Sequence, residues 1–290
     1  MILAPLLIAQ ALPAAKTPPS PADLVAKAPA SDWRPIADDA LLVFTLDDGR
    51  RIIVQLAPEQ APAHVARIRQ LARAHWWDAT SIYRVQDNYV AQWGDRSETK
   101  PLPAGIVDKG PAEYQRAPAP MALRLKAPDS YARLTGFTAS GWPAASDGQH
   151  LWATHCYGAV GVGRDLAPSV GNGAELYAVI GHAPRALDRN IALVGRVVAG
   201  IEYLSSLPRG TGKLGFYDKG QRATPIASAR LASELPAAER PRFEYLSPAS
   251  ASFAAYVRAK ENREPPFFTV PADGADVCAV PVPVRARAKP

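Results

Sequence analysis

Apolar and polar positions along the chain fall into short alternating runs and one clear helical stretch, separated by Pro-rich segments. Leu41–Leu46 and Arg51–Leu56 are β-rich runs divided by Asp47-Asp48-Gly49, turn chemistry that predicts a hairpin. Pro62 suits the first turn of a helix, and Val65, Ile68, Leu71 and Ala72 recur at helical spacing through about Ala74. A second hairpin follows: residues 81–85, a break at Gln86-Asp87-Asn88, then residues 89–93. Strict alternation puts Ile82 with Arg84 on one face of its first arm, Tyr83 with Val85 on the other, and Val90 with Gln92 on one face of the second. A guanidinium and an amide then look across a surface that carries bulky apolar groups, the make-up of a recognition floor. A solvated arginine on a plain hairpin is the alternative.

Beyond this hairpin the pattern loosens. Residues 96–154 hold Pro101, Pro103, Pro111, Pro118, Pro120 and Pro128, and read as an ordered-loop insertion with one strand near 121–126. Residues 201–207 suit a short helix and 225–231 a last strand. In the tail, residues 250–263 have helical composition, and Phe253, Tyr256 and Val257 form one apolar stripe that suggests docking on the main fold. At the other end, residues 1–12 are apolar but too short to span a bilayer, and are followed by small residues at Ala9-Gln10-Ala11 and Ala14-Ala15. This predicts a signal peptide over 1–15, despite the lack of an early Lys or Arg, with an unstructured arm as the alternative. The Pro- and Ala-rich stretch 16–32 reads as a tether.

With 290 residues, 48% hydrophobic and 21% charged, the chain suits one large domain with appendages or two small ones. Its charge of +6 is scattered apart from the last few residues, which argues against nucleic acid as a partner. Cys156 and Cys278 are too few for a disulfide scaffold and have no second pair for a zinc site. The histidines at 64, 75, 150, 155 and 182 show no metal-binding spacing, and neither Gly161-Val162-Gly163 nor Gly210-Thr211-Gly212-Lys213 completes a nucleotide loop. No cofactor is expected.

Tyr83-Arg84 and Tyr89-Val90-Ala91-Gln92-Trp93-Gly94-Asp95 together resemble the signature of the cyclophilin-type peptidyl-prolyl isomerases. Further similarities follow in family order: Leu56-Ala57-Pro58-Glu59-Gln60-Ala61-Pro62, the strand through Gly161, Val162 and Gly163, Gly173-Ala174-Glu175-Leu176-Tyr177, Leu187-Asp188, and Val194-Gly195-Arg196-Val197. The resemblance covers residues 41–234. It implies a mainly β fold: a closed antiparallel eight-stranded barrel capped by two helices, within a domain at 33–235, with an insertion at about 96–154 and an extension at 236–290. It also implies isomerisation of X-Pro bonds without metal or cofactor. Arg84 is then the catalytic donor, and Tyr89, Val90, Gln92, Val162, Glu175, Tyr177 and Leu187 bind substrate. Proline-containing peptides or unfolded client proteins are the expected partners of a monomer in the periplasm or cell envelope. A peptide-binding or chaperone module with little turnover, and a structural envelope protein, are the alternatives.

The sequence departs from the family at several positions. Trp93 replaces a Gly, Glu175 a Gln, Leu176 a Phe, Ala186 a Trp and Ile191 a His. The losses at 186 and 191 open the expected pocket. A carboxylate at Glu175 is expected to lie near Arg84 and to draw the guanidinium from its task; an ion pair that holds the guanidinium in place is the alternative. Export to an oxidising compartment would let Cys156 and Cys278 form a disulfide. Two unpaired thiols, or a reactive Cys156 beside His155, are the alternatives.

Overall fold

The computed structural model describes residues 18–265 and 267–287. The expected signal peptide, residues 1–15, lies outside the described residues. Part of the stretch expected as a tether is instead helical. Helix α1 (Pro21–Ala26) starts at a proline and is capped by Ser20, whose hydroxyl accepts from the Asp23 N–H while Asp23 reaches back to the cap. Strand β1 (Trp33–Pro35) follows.

Strands β2 (Leu41–Leu46) and β3 (Arg51–Leu56) form the first hairpin. Leu46 N–H donates to the Arg50 carbonyl at 2.9 Å, and Gly49 sits at φ 84°. The loop is therefore three residues long, with glycine supplying the left-handed position. Helix α2 (Pro62–Arg73) buries Val65, Ile68, Leu71 and Ala72, the spacing read from the sequence. Strands β4 (Thr80–Val85) and β5 (Val90–Gly94) make the second hairpin. After the insertion come β6 (Leu123–Arg124), β7 (Leu134–Phe137), β8 (Pro143–Ser146) and β9 (Leu151–Ala153). The chain continues through β10 (Ala159–Val162), β11 (Leu176–Val179), β12 (Leu193–Ala199), helix α3 (Ile201–Ser205) and β13 (Thr224–Leu231). It ends with β14 (Phe243–Leu246), α4 (Ala251–Glu261) and β15 (Val284–Ala286).

Eight strands close into an antiparallel barrel in the order β10-β11-β5-β4-β13-β2-β3-β12. Inward-facing residues alternate with outward ones, so Leu42, Phe44 and Leu46 fill the interior with Val54, Ile82 and Val160. Ile68 and Leu71 of α2 and Leu204 of α3 belong to the same core, so these two helices cover the barrel as expected. Trp93, which stands where the family resemblance has glycine, fills the interior edge-on to Phe44, with ring centroids 5.4 Å apart.

Two expectations need correction. The insertion is more than a loop with one strand: β6, β7, β8 and β9 pair into a four-stranded sheet. Segments such as Leu134-Thr135-Gly136-Phe137 are too short and too rich in small residues to show alternation. Gly136 is required there, because a Cβ would strike the Leu123 carbonyl of the neighbouring strand. Helix α4, in turn, does not dock on the barrel wall. Phe253 packs edge-on to Phe137 of the insertion at 5.0 Å, in a second core with Trp33, Leu246, Val277 and Val280. Val25 and Ala28, at and just past the end of α1, pack against this core, which explains why that stretch is ordered. Strands β1, β14 and β15 form a third sheet. The segment 277–287 is tied back by a disulfide between Cys156 and Cys278, whose Cα atoms are 4.9 Å apart.

Candidate active site

The geometry of the site starts with an irregularity in β4. Ile82 pairs with Trp93 and Arg84 with Gln92, so one extra residue is accommodated at Tyr83. Such a bulge turns consecutive side chains to the same side. Ile82 and Val85 both enter the barrel interior, while Tyr83 and Arg84 both lie in the groove outside it. Strict alternation had grouped Ile82 with Arg84 and Tyr83 with Val85; the bulge overrides it.

Arg84 is half-buried and held at three points. Its Nε donates to the Leu214 carbonyl at 2.8 Å, one terminal nitrogen to Gln92 Oε1 at 2.9 Å, and the other to Gln86 Oε1 at 2.8 Å. The Phe216 ring centroid lies 5.2 Å from the guanidinium carbon and that of Tyr89 6.0 Å, both within cation–π range. Burial lowers the guanidinium's pKa from its ordinary value, opposed by the tyrosines around it. Leu214 and Phe216 come from a loop that runs beside β4: Gly210 N–H donates to the Val85 carbonyl and Tyr217 N–H to the Tyr83 carbonyl, each at 2.9 Å. The Gly-Thr-Gly-Lys run in this loop is thus turn chemistry. Gly210 has no room for a Cβ against the Gly215 backbone.

From Arg84 a chain of hydrogen bonds runs across the groove. Gln92 Nε2 donates to the Tyr83 hydroxyl at 3.3 Å, and that hydroxyl donates to Glu175 Oε2 at 2.5 Å. The other oxygen, Glu175 Oε1, accepts from the Asp95 N–H at 2.8 Å. Among the described residues Glu175 makes no ion pair with Arg84. The expected direct attraction is replaced by a relay through Tyr83 and Gln92. Burial pushes the Glu175 carboxyl above its ordinary pKa of 4.5, against the lowering effect of the hydrogen bonds from Tyr83, Asp95 and Gln92. Burial, and then the Glu175 charge, push the Tyr83 hydroxyl well above the ordinary tyrosine range. Gly94 leaves space for that carboxylate, since a Cβ there would coincide with it.

Beside the guanidinium lies an apolar floor. Val90 and Tyr177 are buried, with Tyr89, Leu187 and Ile191 partly buried in the same cluster. Gly161 makes room for the Tyr177 ring, because a Cβ would strike it. Leu187 is placed by a buried network behind it. Arg185 Nε donates to Asp188 at 2.5 Å and its terminal nitrogens donate to Asp129 at 3.0 and 3.1 Å. Asp188 also accepts from the His155 N–H at 2.9 Å. The Leu-Asp pair is therefore one floor residue and one anchor.

The structure brings Arg84, Tyr89, Val90, Gln92, Glu175, Tyr177 and Leu187 around one groove of about 560 Å³. Val162 is the exception. Its side chain is fully buried in the barrel interior, and the neighbouring Gly163 faces the groove, where a Cβ would sit 3.5 Å from Gln92 Nε2. Sequence reasoning missed Gln86, which holds Arg84, and Tyr83, Phe216, Lys100, Asp108 and Arg164, which line the groove. None had a local signal: strict alternation places Tyr83 on the face opposite Arg84, and only the bulge brings it round. Ala186 is exposed and does not line the groove, whereas Ile191 lines it as an apolar group where the resemblance has histidine.

A closed eight-stranded barrel carrying a positioned guanidinium, a glutamine and an apolar floor in an outer groove is the architecture of a cyclophilin-type isomerase. The sequence model of the family described as "Cyclophilin type peptidyl-prolyl cis-trans isomerase/CLD" matches residues 41–230. The chain belongs to this family and is a peptidyl-prolyl cis-trans isomerase by family and fold. Among curated proteins, a probable peptidyl-prolyl cis-trans isomerase of Brucella suis is 25% identical over 173 residues, covering 59% of this chain and 72% of that protein. Peptidyl-prolyl cis-trans isomerase B of Bacillus subtilis is 39% identical over 51 residues, 18% of this chain and 36% of that one. Among solved structures, a cyclophilin from Hirschia baltica superposes with a TM-score of 0.68 at 24% identity, covering 88% of this chain and 93% of that chain, a likeness in fold.

Proposed function

We propose that the groove catalyses rotation about X-Pro peptide bonds in polypeptides of the cell envelope, with Arg84 as the catalytic donor. The barrier to that rotation, about 18–20 kcal/mol, is the loss of amide resonance on twisting. In the twisted state the prolyl nitrogen regains a localised lone pair. A donor aimed at that nitrogen binds the transition state better than either planar ground state. The observation that carries the reading is the setting of Arg84: three neutral oxygen acceptors fix it at 2.8, 2.9 and 2.8 Å beside the apolar floor. No carboxylate neutralises it among the described residues. Tyr89, Val90, Tyr177 and Leu187 take the proline ring, and Gln92 orients Arg84.

The partners in this reading are proline-containing peptides or unfolded clients met by a monomer. Export is supported by the apolar stretch at residues 1–12 and by the Cys156–Cys278 bridge, a bond that persists in oxidising compartments. No helix among the described residues is long and apolar enough to cross a membrane. Cell fractionation with N-terminal sequencing of the mature chain tests this. An uncleaved Met1 in the cytoplasmic fraction overturns it.

The activity is tested by a protease-coupled assay on an X-Pro peptide. Arg84→Ala is expected to lower kcat/KM by roughly a hundred- to a thousandfold, as for removal of an oxyanion donor worth about 2.7–4 kcal/mol, with the fold intact by circular dichroism. Near-parental activity in the folded variant overturns the mechanism. The small Ala186 and the apolar Ile191, where the resemblance has a tryptophan and a histidine, favour a second reading, peptide binding with little turnover. Saturable peptide binding by the parent protein without isomerisation establishes that reading instead.

A further inference from the structure

Away from the groove, a second cavity of about 320 Å³ lies between the barrel, the insertion and the disulfide-tied segment 277–287. Its walls are apolar: Trp142 and Pro143 from the insertion, Leu193 and Val197 from β12, Val277 and Val282 from the tail. One cation stands among them. Arg196 lines the cavity, its Nε donating to Gln55 Oε1 at 2.9 Å and one terminal nitrogen to the Gly141 carbonyl at 2.8 Å. The other terminal nitrogen is buried and has no hydrogen-bond partner among the described residues. The guanidinium carbon lies 4.8 Å from the centroid of the Trp142 ring, which lines the same cavity.

This arrangement departs from what a buried arginine ordinarily requires. A fully buried charge is ordinarily paired with an opposite one. The same molecule supplies the contrast in Arg185, which sits between Asp188 and Asp129 at 2.5 and 3.0 Å. Among the described residues Arg196 has no carboxylate partner, and burial lowers its pKa to about 10. Of the groups that face it, Gln55 and the Gly141 carbonyl are neutral, and Tyr245 is a neutral phenol at pH 7, as tyrosine ordinarily is. The cavity is within the size range of ligand pockets, about 300–1,000 Å³, at its small end.

We infer that this cavity is a binding site for a small carboxylate with a hydrocarbon tail, the carboxylate meeting Arg196 and the tail lying against the apolar walls. The site is distinct from the isomerase groove, with which it shares no wall residue. A charged headgroup supplies the acceptor that the free guanidinium nitrogen lacks, and the walls take the methylenes out of water.

The test is calorimetric titration of the purified full chain with decanoate, below its micellar concentration, with decanol and acetate as controls. Decanoate is expected to bind at least about tenfold tighter than either, since only it satisfies both the charge and the walls. Arg196→Gln is expected to reduce decanoate to the level of decanol, and Val282→Trp, which fills the cavity, to abolish binding of both. Arg84→Ala leaves decanoate affinity unchanged. Decanoate binding no tighter than decanol on the parent protein overturns the inference without need of any variant. So does decanoate binding that Arg84→Ala removes, or tighter binding of a free-ended apolar tripeptide than of decanoate.

Discussion

Three of the five N–H donors of Arg84 are held by neutral oxygens, and the polarity of the hydrogen bonds that follow decides how it is held. Each group in the chain donates away from Arg84: Gln92 to Tyr83, and Tyr83 to Glu175. A carboxylate at the end accepts only, so Tyr83 must donate to it, and Gln92 must turn its oxygen towards the guanidinium. Glu175 is therefore a positioning residue acting through two others. In Glu175→Gln the side-chain oxygen keeps the Asp95 N–H, and the new amide donor points at Tyr83 and reverses the chain. A fall in kcat/KM of roughly three- to tenfold is expected, about the worth of one neutral hydrogen bond. An unchanged or raised value removes the positioning role. The pH profile separates this from a structural effect. Because burial raises the Glu175 pKa above 4.5, activity of the parent falls as pH drops through that raised value, and the limb is absent in Glu175→Gln. Stability has the opposite sign. The folded state holds the Glu175 proton more tightly than the unfolded chain, so its contribution is greatest below the ordinary pKa of 4.5 and is lost as pH rises through the raised one. Glu175→Gln should thus raise Tm at pH 7 relative to the parent, with the gain shrinking at pH 4. The departure at 175 was legible from the sequence. Its partner was not, because the bulge that brings Tyr83 into the groove leaves no trace in an alternating pattern.

Helix α2 shows the same division at the level of an element. Its body was legible, since Val65, Ile68, Leu71 and Ala72 mark one buried face. Its start was less so. Ala61 at the cap position has no side chain to accept the first N–H groups. Glu113, in the insertion, supplies the acceptors: Oε1 takes the Ala63 N–H at 2.7 Å, and Oε2 takes the His64 N–H at 2.9 Å and contacts the His64 ring at 2.6 Å. No local sequence signal could reveal a cap that lies 49 to 50 residues away. Glu113→Ala is expected to destabilise the protein by about 2 kcal/mol, the upper end for loss of a cap, because the buried His64 also loses the partner of its Nδ1 and keeps only the Val170 carbonyl at Nε2. Urea unfolding should show a lower midpoint with an unchanged slope, and Glu113→Gln should fall between the two. A midpoint within error of the parent's for Glu113→Ala would show that water replaces the carboxylate without cost.

Across the whole molecule, the barrel was legible because its motifs occur in family order over one continuous stretch, whereas the second core was not. That core is assembled from Trp33, Phe137, Leu246, Phe253, Val277 and Val280, positions too far apart in the chain for periodicity to connect. Its closing piece, 277–287, is tied to the segment before β10 by Cys156–Cys278, across a sequence separation of 122. In the chain-entropy account a closed loop of this size is worth about 4–5 kcal/mol, by restricting the unfolded chain. The groove draws no residue from 277–287. Removing the bridge should therefore affect stability and the tail before it affects catalysis. Cys278→Ser is expected to lower Tm, to make the tail the first site of limited proteolysis, and to leave kcat/KM at 25 °C within about twofold of the parent, the scale of a substitution outside the groove. Intact mass after alkylation of denatured, unreduced parent protein checks the premise, and no added mass is expected. Alkylation of both cysteines, or a Cys278→Ser variant with parental Tm and an uncut tail, would show that the second core holds the tail without the bridge.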